Sequence, residues 1–158
     1  MPEHRLLLRN DLGKDLTNLE EYKKLGGFGV WKKALQMGPA GIHNEVKAAN
    51  LRGRGGAGFP AGVKWGFLPN DGRPRYLVVN ADEGEPGTFK DRYFLEEDPF
   101  RLLEGCLLAS YALNIHACYI YIRGEFWHAI DVMDQAIADA KKAGWLGKNI
   151  QGSGFDLE

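Results

Sequence analysis

Two short apolar runs, each followed by a helical pattern, constrain the fold more than any other feature of this sequence. "YLVVNA" at residues 76–81 is rich in β-branched residues and shows no clear alternation, which is typical of a strand buried in a parallel sheet. "ACYIYIRG" at residues 117–124 predicts a second strand. The order strand, helix, strand, helix predicts right-handed crossovers and a parallel sheet. We therefore expect an α/β fold.

The helices between and after these strands carry recognisable end signals. In "EDPFRLLEGCLLASYALN", Asp98 is in the position of an N-cap and Pro99 in the first helical position. A long amphipathic pattern, "FWHAIDVMDQAIADAKKAG", follows the second strand and ends at Gly144. Both segments predict helices that pack on the sheet.

Short helices are also predicted in the first fifty residues. Thr17 and Glu20 have the spacing of a capping box at the start of "TNLEEYKKLGG". Two further helical stretches are separated by Gly38 and Pro39. The last residues, "GSGFDLE", predict a turn that enters another strand, so we expect the chain to be a fragment or to pair with a strand of another polypeptide.

Charge and composition exclude several classes of function. With 20 basic and 21 acidic residues the net charge is -1, which does not favour nucleic acid as a partner. No segment approaches the roughly 20 apolar residues of a membrane span, so we expect a cytoplasmic chain without membrane insertion. Cys106 and Cys118 are predicted to be buried, reduced thiols, and no metal site is expected from them.

A glycine-rich segment is the strongest indication of a binding site. Six glycines lie within "LRGRGGAGFPAGVKWGF", residues 51–67. Glycines let backbone N–H groups converge on one anion without Cβ clashes. Arg52, Arg54 and Lys64 add positive charge, and a helix beginning near Pro60 would add its dipole. The segment therefore predicts a phosphate-binding loop.

Other interpretations of this loop stay open. Gly53, Gly55 and Gly58 satisfy G-x-G-x-x-G, but that fingerprint must follow a strand, whereas the residues before this loop have a helical pattern. A mobile surface loop with solvated arginines is the plain structural alternative. Aromatic neighbours argue against a linker, because they could stack on a nucleotide base. These neighbours are Phe59, Trp65 and Phe67.

An acidic segment, "NADEGEPGTFKDRY", follows the first predicted strand. Its first polar side chains stand at the carboxyl end of that strand, where open α/β sheets bind ligands. They are Asn80, Asp82, Glu83 and Glu85. Their oxygens could accept hydrogen bonds from ribityl or ribose hydroxyls or from a carboxamide. A solvated turn is the alternative, and paired carboxylates also allow Mg²⁺ or glycoside chemistry.

Taken together, "LRGRGGAGFPAGVKW" and "VVNADEGEPGTFKDRYFLEEDP" resemble the FMN- and NADH-binding subunits of respiratory NADH:quinone oxidoreductase, complex I. Related subunits occur in NAD-reducing hydrogenases and NAD-dependent formate dehydrogenases. The resemblance covers only the N-terminal part of that family. It implies that residues 51–158 are the N-terminal part of a Rossmann-like flavin and nucleotide domain, truncated at its C-terminal end. Residues 1–50 would be a helical N-terminal extension.

The resemblance also implies the roles of individual residues. Those expected to surround FMN are Gly53, Arg54, Gly55, Gly56, Gly58 and Lys64. Those expected on its phosphate and ribityl side are Asn80, Asp82 and Glu83. Phe59 and Phe67 match positions that stack on the NADH adenine, and Lys64 would contact both nucleotides. Glu85 matches an acidic cofactor-binding residue near the nicotinamide and is the expected catalytic residue.

Such a site would pass a hydride from NADH to FMN, as in an NADH dehydrogenase of the respiratory electron-transport chain. In the family, electrons continue to a [4Fe–4S] cluster and to quinone. Cys106 and Cys118 do not match the cluster motif, so no metal ligands are expected in this chain. The implied partners are NADH and the other hydrophilic-arm subunits, notably a [2Fe–2S] subunit, which would hold the chain peripherally at the inner membrane.

Three alternatives remain at this level. A noncatalytic nucleotide-binding or assembly module would hold a nucleotide without redox chemistry. The diaphorase subunit of an NAD-linked hydrogenase or formate dehydrogenase would share the same motifs. An RNA-binding module using the arginine-glycine stretch would show steeply salt-dependent affinity, and the near-neutral charge argues against it.

Overall fold

The computed structural model describes residues 13–158; residues 1–12 of the predicted N-terminal extension lie outside the described part. The helices and strands follow the chain in the order α1 (Leu19–Lys24), α2 (Trp31–Ala48), α3 (Ala61–Trp65), β1 (Leu77–Ala81), α4 (Lys90–Glu97), α5 (Pro99–Leu113), β2 (Cys118–Ile122) and α6 (Trp127–Lys142). A 3₁₀ turn, Ile150–Gly152, lies near the end.

The two strands pair in parallel, from Leu77 opposite Cys118 to Ala81 opposite Ile122. The connection between them runs through α4 and α5, and α6 follows β2. This order confirms the predicted α/β fold with a parallel sheet and flanking helices. The helix α4 was not predicted, because its sequence is polar and stands within the acidic segment.

Only one face of the sheet is covered in the described chain, so the expectation that the first strand is buried in the sheet is wrong. Val78, Tyr119 and Tyr121 point to one face and are about 60% exposed, at 64%, 59% and 61%. Their neighbours Val79 and Ile120 point to the other face and are only partly exposed. Because helices cover that second face alone, the side chains alternate in burial along both strands.

Helix α5 forms the centre of the core and packs against α2, α4 and α6. Phe100, Leu103 and Leu107 are buried along it at spacings of three and four residues, the spacing that places side chains on one helical face. Trp31 of α2 packs edge-on against Tyr111 of α5, with ring centroids 5.2 Å apart. The helices before residue 50 therefore share a core with the helix that joins the strands.

Local signals at the helix ends are partly as predicted. Asn18, not Thr17, caps α1, and its side chain accepts hydrogen bonds from the N–H groups of Glu20 and Glu21. The Thr17 hydroxyl instead donates to Asp15. The predicted break at Gly38 is a kink within α2, where φ is +68° and ψ is 173°. The cap therefore lies one residue after the predicted position.

The end of the described chain returns to the sheet. Glu158 donates through its N–H to His116 O at 3.1 Å and accepts from Cys118 N at 2.6 Å, which is the pattern of parallel pairing beside β2. The predicted turn is present, but within residues 13–158 the segment after it forms only backbone contacts beside β2 and a single bridge between Gly147 and Leu157, not a further strand. Among the helices of residues 13–158, none combines the length and the apolar character needed to cross a membrane.

Candidate functional site

The glycine-rich segment forms a closed hairpin. Arg52 and Pro60 make an antiparallel bridge, with Gly53 N donating to Phe59 O at 3.1 Å. The Arg52 guanidinium also donates to Gly58 O at 3.1 Å. Arg52 therefore closes the loop internally, and the loop has fixed anchor points that a flexible linker would lack.

The glycines at the tip of this loop are not required by packing within the described chain. A Cβ added at Gly55 or Gly56 meets no described atom within 4 Å, and neither residue has a positive φ. Gly58 differs, since its φ of +69° is in the left-handed region that favours glycine. The open space before Gly55 and Gly56 is suited to a ligand that lies directly against the backbone.

Helix α3 holds the loop against α2 by a close contact. A Cβ at Gly62 would lie 2.7 Å from the backbone N of Lys47, so only glycine permits this approach. The Nε2–H of His43 donates to Gly62 O at 2.6 Å, which fixes the tautomer because a carbonyl can only accept. The start of α3 is thereby attached to α2 at two points.

The two predicted aromatic residues lie together beside α3. The rings of Phe59 and Phe67 are 5.9 Å apart and inclined by 48°. They are 51% and 69% exposed, which leaves their faces accessible to a flat ligand. Lys64 lies on α3, is exposed, and makes no ion pair within residues 13–158.

The acidic segment turns sharply at the carboxyl end of β1. Asn80 Oδ1 accepts from the N–H of Asp82 at 3.1 Å, which begins the turn. Glu83 has a φ of +39°, an unusual conformation for a residue with a side chain. Its side chain is completely buried, and its two carboxylate oxygens accept from the N–H groups of Asp91 and Arg92 at 2.7 and 3.0 Å. Glu83 thus caps α4 from the preceding loop.

The second strand supports the same turn from its own carboxyl end. Arg123 donates through Nη1 to Glu83 O at 3.4 Å, and through Nε to Glu125 at 3.1 Å. The hydrogen bond with Arg123 lowers the pKa of Glu125, and the pKa of Arg123 is raised in return. Arg123 therefore holds the acidic turn from the end of β2.

A polar cleft of about 450 Å³ joins the two predicted segments. Its volume is within the range of roughly 300–1,000 Å³ that is usual for small-molecule pockets. Of the predicted site residues, those that line it are Arg54, Gly55, Asn80, Asp82, Glu83 and Glu85. Those that do not are Gly53, Gly56, Gly58, Phe59, Lys64 and Phe67. The structure therefore unites one part of the glycine loop with the acidic turn and leaves the aromatic pair outside the cleft.

Four lining residues were missed by the sequence analysis: Gly84, Thr88, Lys90 and Asp91. Lys90 Nζ lies 2.7 Å from Asp91 Oδ2 and 3.9 Å from Glu83 Oε1. Lys90 is a second cation, besides Arg54, in a cleft whose other charged lining residues are carboxylates. Lys90 is visible in the sequence as the lysine of "GTFKDRY". No sequence pattern, however, predicted that this segment turns back towards the carboxyl end of β1.

An apolar groove of about 420 Å³ adjoins this cleft. Asn80 and Asp91 line both, so the two spaces are neighbours at the end of β1. The groove is otherwise bordered by Trp65, by β1, by apolar residues of α4 and α5, and by Arg101 of α5. A ligand with a polar end and a flat apolar end could contact both surfaces.

Comparisons with known proteins identify relatives of this chain. The chain is 50% identical over 153 residues to an NADH-quinone oxidoreductase subunit of Aquifex aeolicus, covering 97% of this chain and 36% of the relative. It is 49% identical over 157 residues to the mitochondrial NADH-ubiquinone oxidoreductase 51 kDa subunit of Neurospora crassa, covering 96% and 32%. The chain thus spans about a third of the length of the curated relatives it matches.

Two solved structures are also similar to this chain. A crystal structure of an NAD⁺-reducing [NiFe]-hydrogenase in the H₂-reduced state matches with a TM-score of 0.70 and 35% identity, over 84% of this chain and 22% of that chain. The air-oxidised state matches with a TM-score of 0.60 and 42% identity, over 66% and 19%. The family model described as the Nuo51 FMN-binding domain matches residues 46–155, which include the glycine loop, the acidic turn and both strands. This chain therefore belongs to the family of the Nuo51 FMN-binding domain.

Proposed function

We propose that this chain provides the FMN-binding part of an NADH-oxidising flavoprotein subunit that passes a hydride from NADH to FMN. The observation that supports this most directly is the cleft in which Arg54 and Gly55 face Asn80, Asp82 and Glu85. The backbone at Gly55 can bind an anion, and the side-chain oxygens on the other side can accept hydrogen bonds from hydroxyl groups. These properties suit a ligand that carries both a phosphate and several hydroxyls. The name of the matching family supports FMN as that ligand.

The residues present fit FMN by their chemistry. Arg54 and Lys90 would bind the phosphate, together with the open backbone at Gly55 and Gly56. The carboxylate of Asp82 would accept hydrogen bonds from ribityl hydroxyls, and the Asn80 amide would donate one. Gly53 and Gly58 would shape the loop around the cofactor. Glu83 would act through its backbone, because its carboxylate caps α4.

NADH would bind next to FMN, on the side of the aromatic pair. Phe59 and Phe67 would stack on the adenine, and Lys64 would contact a phosphate between the two nucleotides. Glu85, exposed at the cleft, would contact the nicotinamide end and is the proposed catalytic-site residue. FMN supplies an isoalloxazine ring that can accept a hydride, while the protein orients the nicotinamide towards it.

The wider role follows from the relatives' names. We propose that electrons pass onward through Fe–S clusters to quinone, in an assembly with hydrophilic-arm subunits that include a [2Fe–2S] subunit. A [4Fe–4S] cluster would belong to the longer family members. The location would be cytoplasmic, peripheral to the inner membrane through these partners. We also propose the division into a helical extension, 1–50, and a flavin and nucleotide domain, 51–158.

The diaphorase subunit of an NAD-linked hydrogenase is a second candidate. It is favoured by the similarity to the NAD⁺-reducing [NiFe]-hydrogenase structures. Both functions use NAD(H) and flavin at the same kind of site, and they differ in the electron acceptor. A noncatalytic nucleotide-binding module would differ from both of these enzymes because it would bind a nucleotide without oxidising NADH.

An anaerobic titration tests the proposal. FMN is added to the 158-residue chain while flavin fluorescence is followed, and NADH is then added while the visible flavin absorbance is recorded. Binding followed by bleaching supports the oxidoreductase, and binding without bleaching supports the noncatalytic module. Absence of FMN binding would contradict the cofactor site.

The role of Lys64 on α3 can be tested with two matched variants. We expect Lys64→Ala to raise the Kd for NADH by about tenfold, because it removes a charge-assisted hydrogen bond worth roughly 1.5 kcal/mol. Lys32→Ala, which removes an exposed cation from α2, should leave the Kd unchanged. Equal affinities of the two variants for NADH would exclude a binding role for Lys64.

A further inference from the structure

A second, smaller cavity lies between α5, β2 and α6, away from the candidate cleft. Its volume is about 230 Å³, and most of its lining is apolar. Cys106 of α5 and Cys118, the first residue of β2, both line it. Cys106 is buried and Cys118 is partly exposed. The cavity thus places two free thiols together, one of which is accessible to a small molecule.

The two thiols line the same small cavity and interact with each other. This interaction with Cys106 lowers the pKa of Cys118. The pKa of Cys106 is raised by the same interaction and by burial. Cys118 is therefore the better nucleophile, because the thiolate is the reactive form of cysteine. Cys106 is placed as the group that would react second.

We propose that Cys106 and Cys118 form a reversible dithiol–disulfide site whose oxidant is hydrogen peroxide. The Cys118 thiolate attacks one oxygen of the peroxide, the O–O bond breaks, and Cys118 sulfenic acid and hydroxide are formed. The Cys106 sulfur then attacks the sulfenic sulfur. The S–O bond breaks, the Cys106 proton and the hydroxyl group leave as water, and the disulfide remains. Two electrons pass from the two thiols to the peroxide.

Disulfide formation would act on the fold at a defined place. It would join α5 to the start of β2, where Cys118 N also donates to Glu158 O. Cys106 lines the apolar groove as well, and that groove shares Asn80 and Asp91 with the candidate cleft. The oxidised site would therefore stiffen one wall of the groove. This inference does not depend on FMN binding.

The test is peroxide oxidation of the full 158-residue chain, followed by alkylation in denaturant and mass spectrometry. We expect both cysteines to be protected from alkylation, with a Cys106–Cys118 cross-linked peptide in the unreduced digest and loss of two hydrogens from the monomer. A dithiol reductant should restore both thiols. The oxidised chain should also unfold at a higher temperature than the reduced chain.

Single variants identify the order of the reaction. Cys106→Ala should still form a sulfenic acid at Cys118, more slowly at neutral pH, because the interaction with Cys106 that favours the thiolate is lost. Cys118→Ala should leave Cys106 unreactive. Cross-links between chains, oxidation that stops at Cys118 in the unsubstituted protein, or two thiols that remain free would each overturn the proposal.

Discussion

Glu83 lines the candidate cleft and also organises it, because its carboxylate is used to hold α4. Its left-handed backbone turns the chain at the end of β1, and its buried carboxylate accepts two N–H groups of α4. Arg123 binds its carbonyl oxygen from β2. These contacts connect the ends of β1 and β2 with the start of α4. Glu83 therefore links the sheet to α4 beside Asn80 and Glu85, which line the cleft.

Replacement of Glu83 tests this structural role. Glu83→Gln retains one acceptor but directs an NH₂ group at a backbone N–H, so we expect a loss of about 1–3 kcal/mol in the free energy of unfolding. Glu85→Gln changes the same group at an exposed position and should stay within about 0.5 kcal/mol of the unsubstituted protein. Urea denaturation measures both values. Equal stability of the two variants would show that the buried contacts of Glu83 contribute little.

Two glycines of the same segment are present for different reasons. Gly62→Ala places a Cβ 2.7 Å from Lys47 N, so we expect it to push α3 away from α2 and cost about 1–3 kcal/mol of stability. Gly55→Ala meets no described atom, so stability should be unchanged while affinity for FMN falls. Thermal unfolding and the fluorescence titration measure the two effects. Retained FMN affinity in Gly55→Ala would contradict a ligand lying against this backbone.

Among the elements, α1 provides a direct test of how a helix start is chosen. Asn18→Ala removes the acceptor for Glu20 N and Glu21 N, so we expect a loss of about 0.5–2 kcal/mol. Thr17→Ala removes only a hydrogen bond to Asp15 and should cost less. Chemical denaturation of the two variants decides between the capping residue seen in the structure and the one that the capping-box pattern predicted.

Some elements could be predicted from sequence for clear physical reasons. The two strands and α5 have strong apolar patterns, and Pro99 marks the start of α5 in both pattern and structure. The polar helix α4 has no such pattern, since its start depends on Glu83, eight residues before Asp91. Lys90 was missed as a cleft residue for the same reason. Sequence indicated which segments form the cleft, but the orientation of their side chains depends on contacts between elements.

At the scale of the whole molecule, aromatic contacts connect the early helices to the sheet region. Phe28 stacks on Trp145, with ring centroids 4.4 Å apart and planes inclined by 13°. Trp31 contacts Tyr111, which in turn packs edge-on against Phe155 near the end of the chain. Because these pairs join distant parts of the sequence, we expect residues 13–158 to unfold in one cooperative transition.

Trp31 is the residue at which this cooperativity can be measured. It is 3% exposed, so Trp31→Ala should lower the free energy of unfolding by about 3–5 kcal/mol, through lost burial and the cavity that remains. Trp31→Phe should cost much less, because it keeps most of the ring packing. The indole N–H also has no hydrogen-bond partner within residues 13–158, so its removal loses no bond there.

The exposed indole of Trp127 is the matched control for this prediction. It is 73% exposed, and Trp127→Ala should change stability by no more than about 0.5 kcal/mol. Unfolding followed both by far-ultraviolet circular dichroism and by the fluorescence of the remaining tryptophans should give coincident curves for all variants. If Trp31→Ala instead separated the two curves, the early helices would unfold independently of the sheet, and the shared core would not be one cooperative unit.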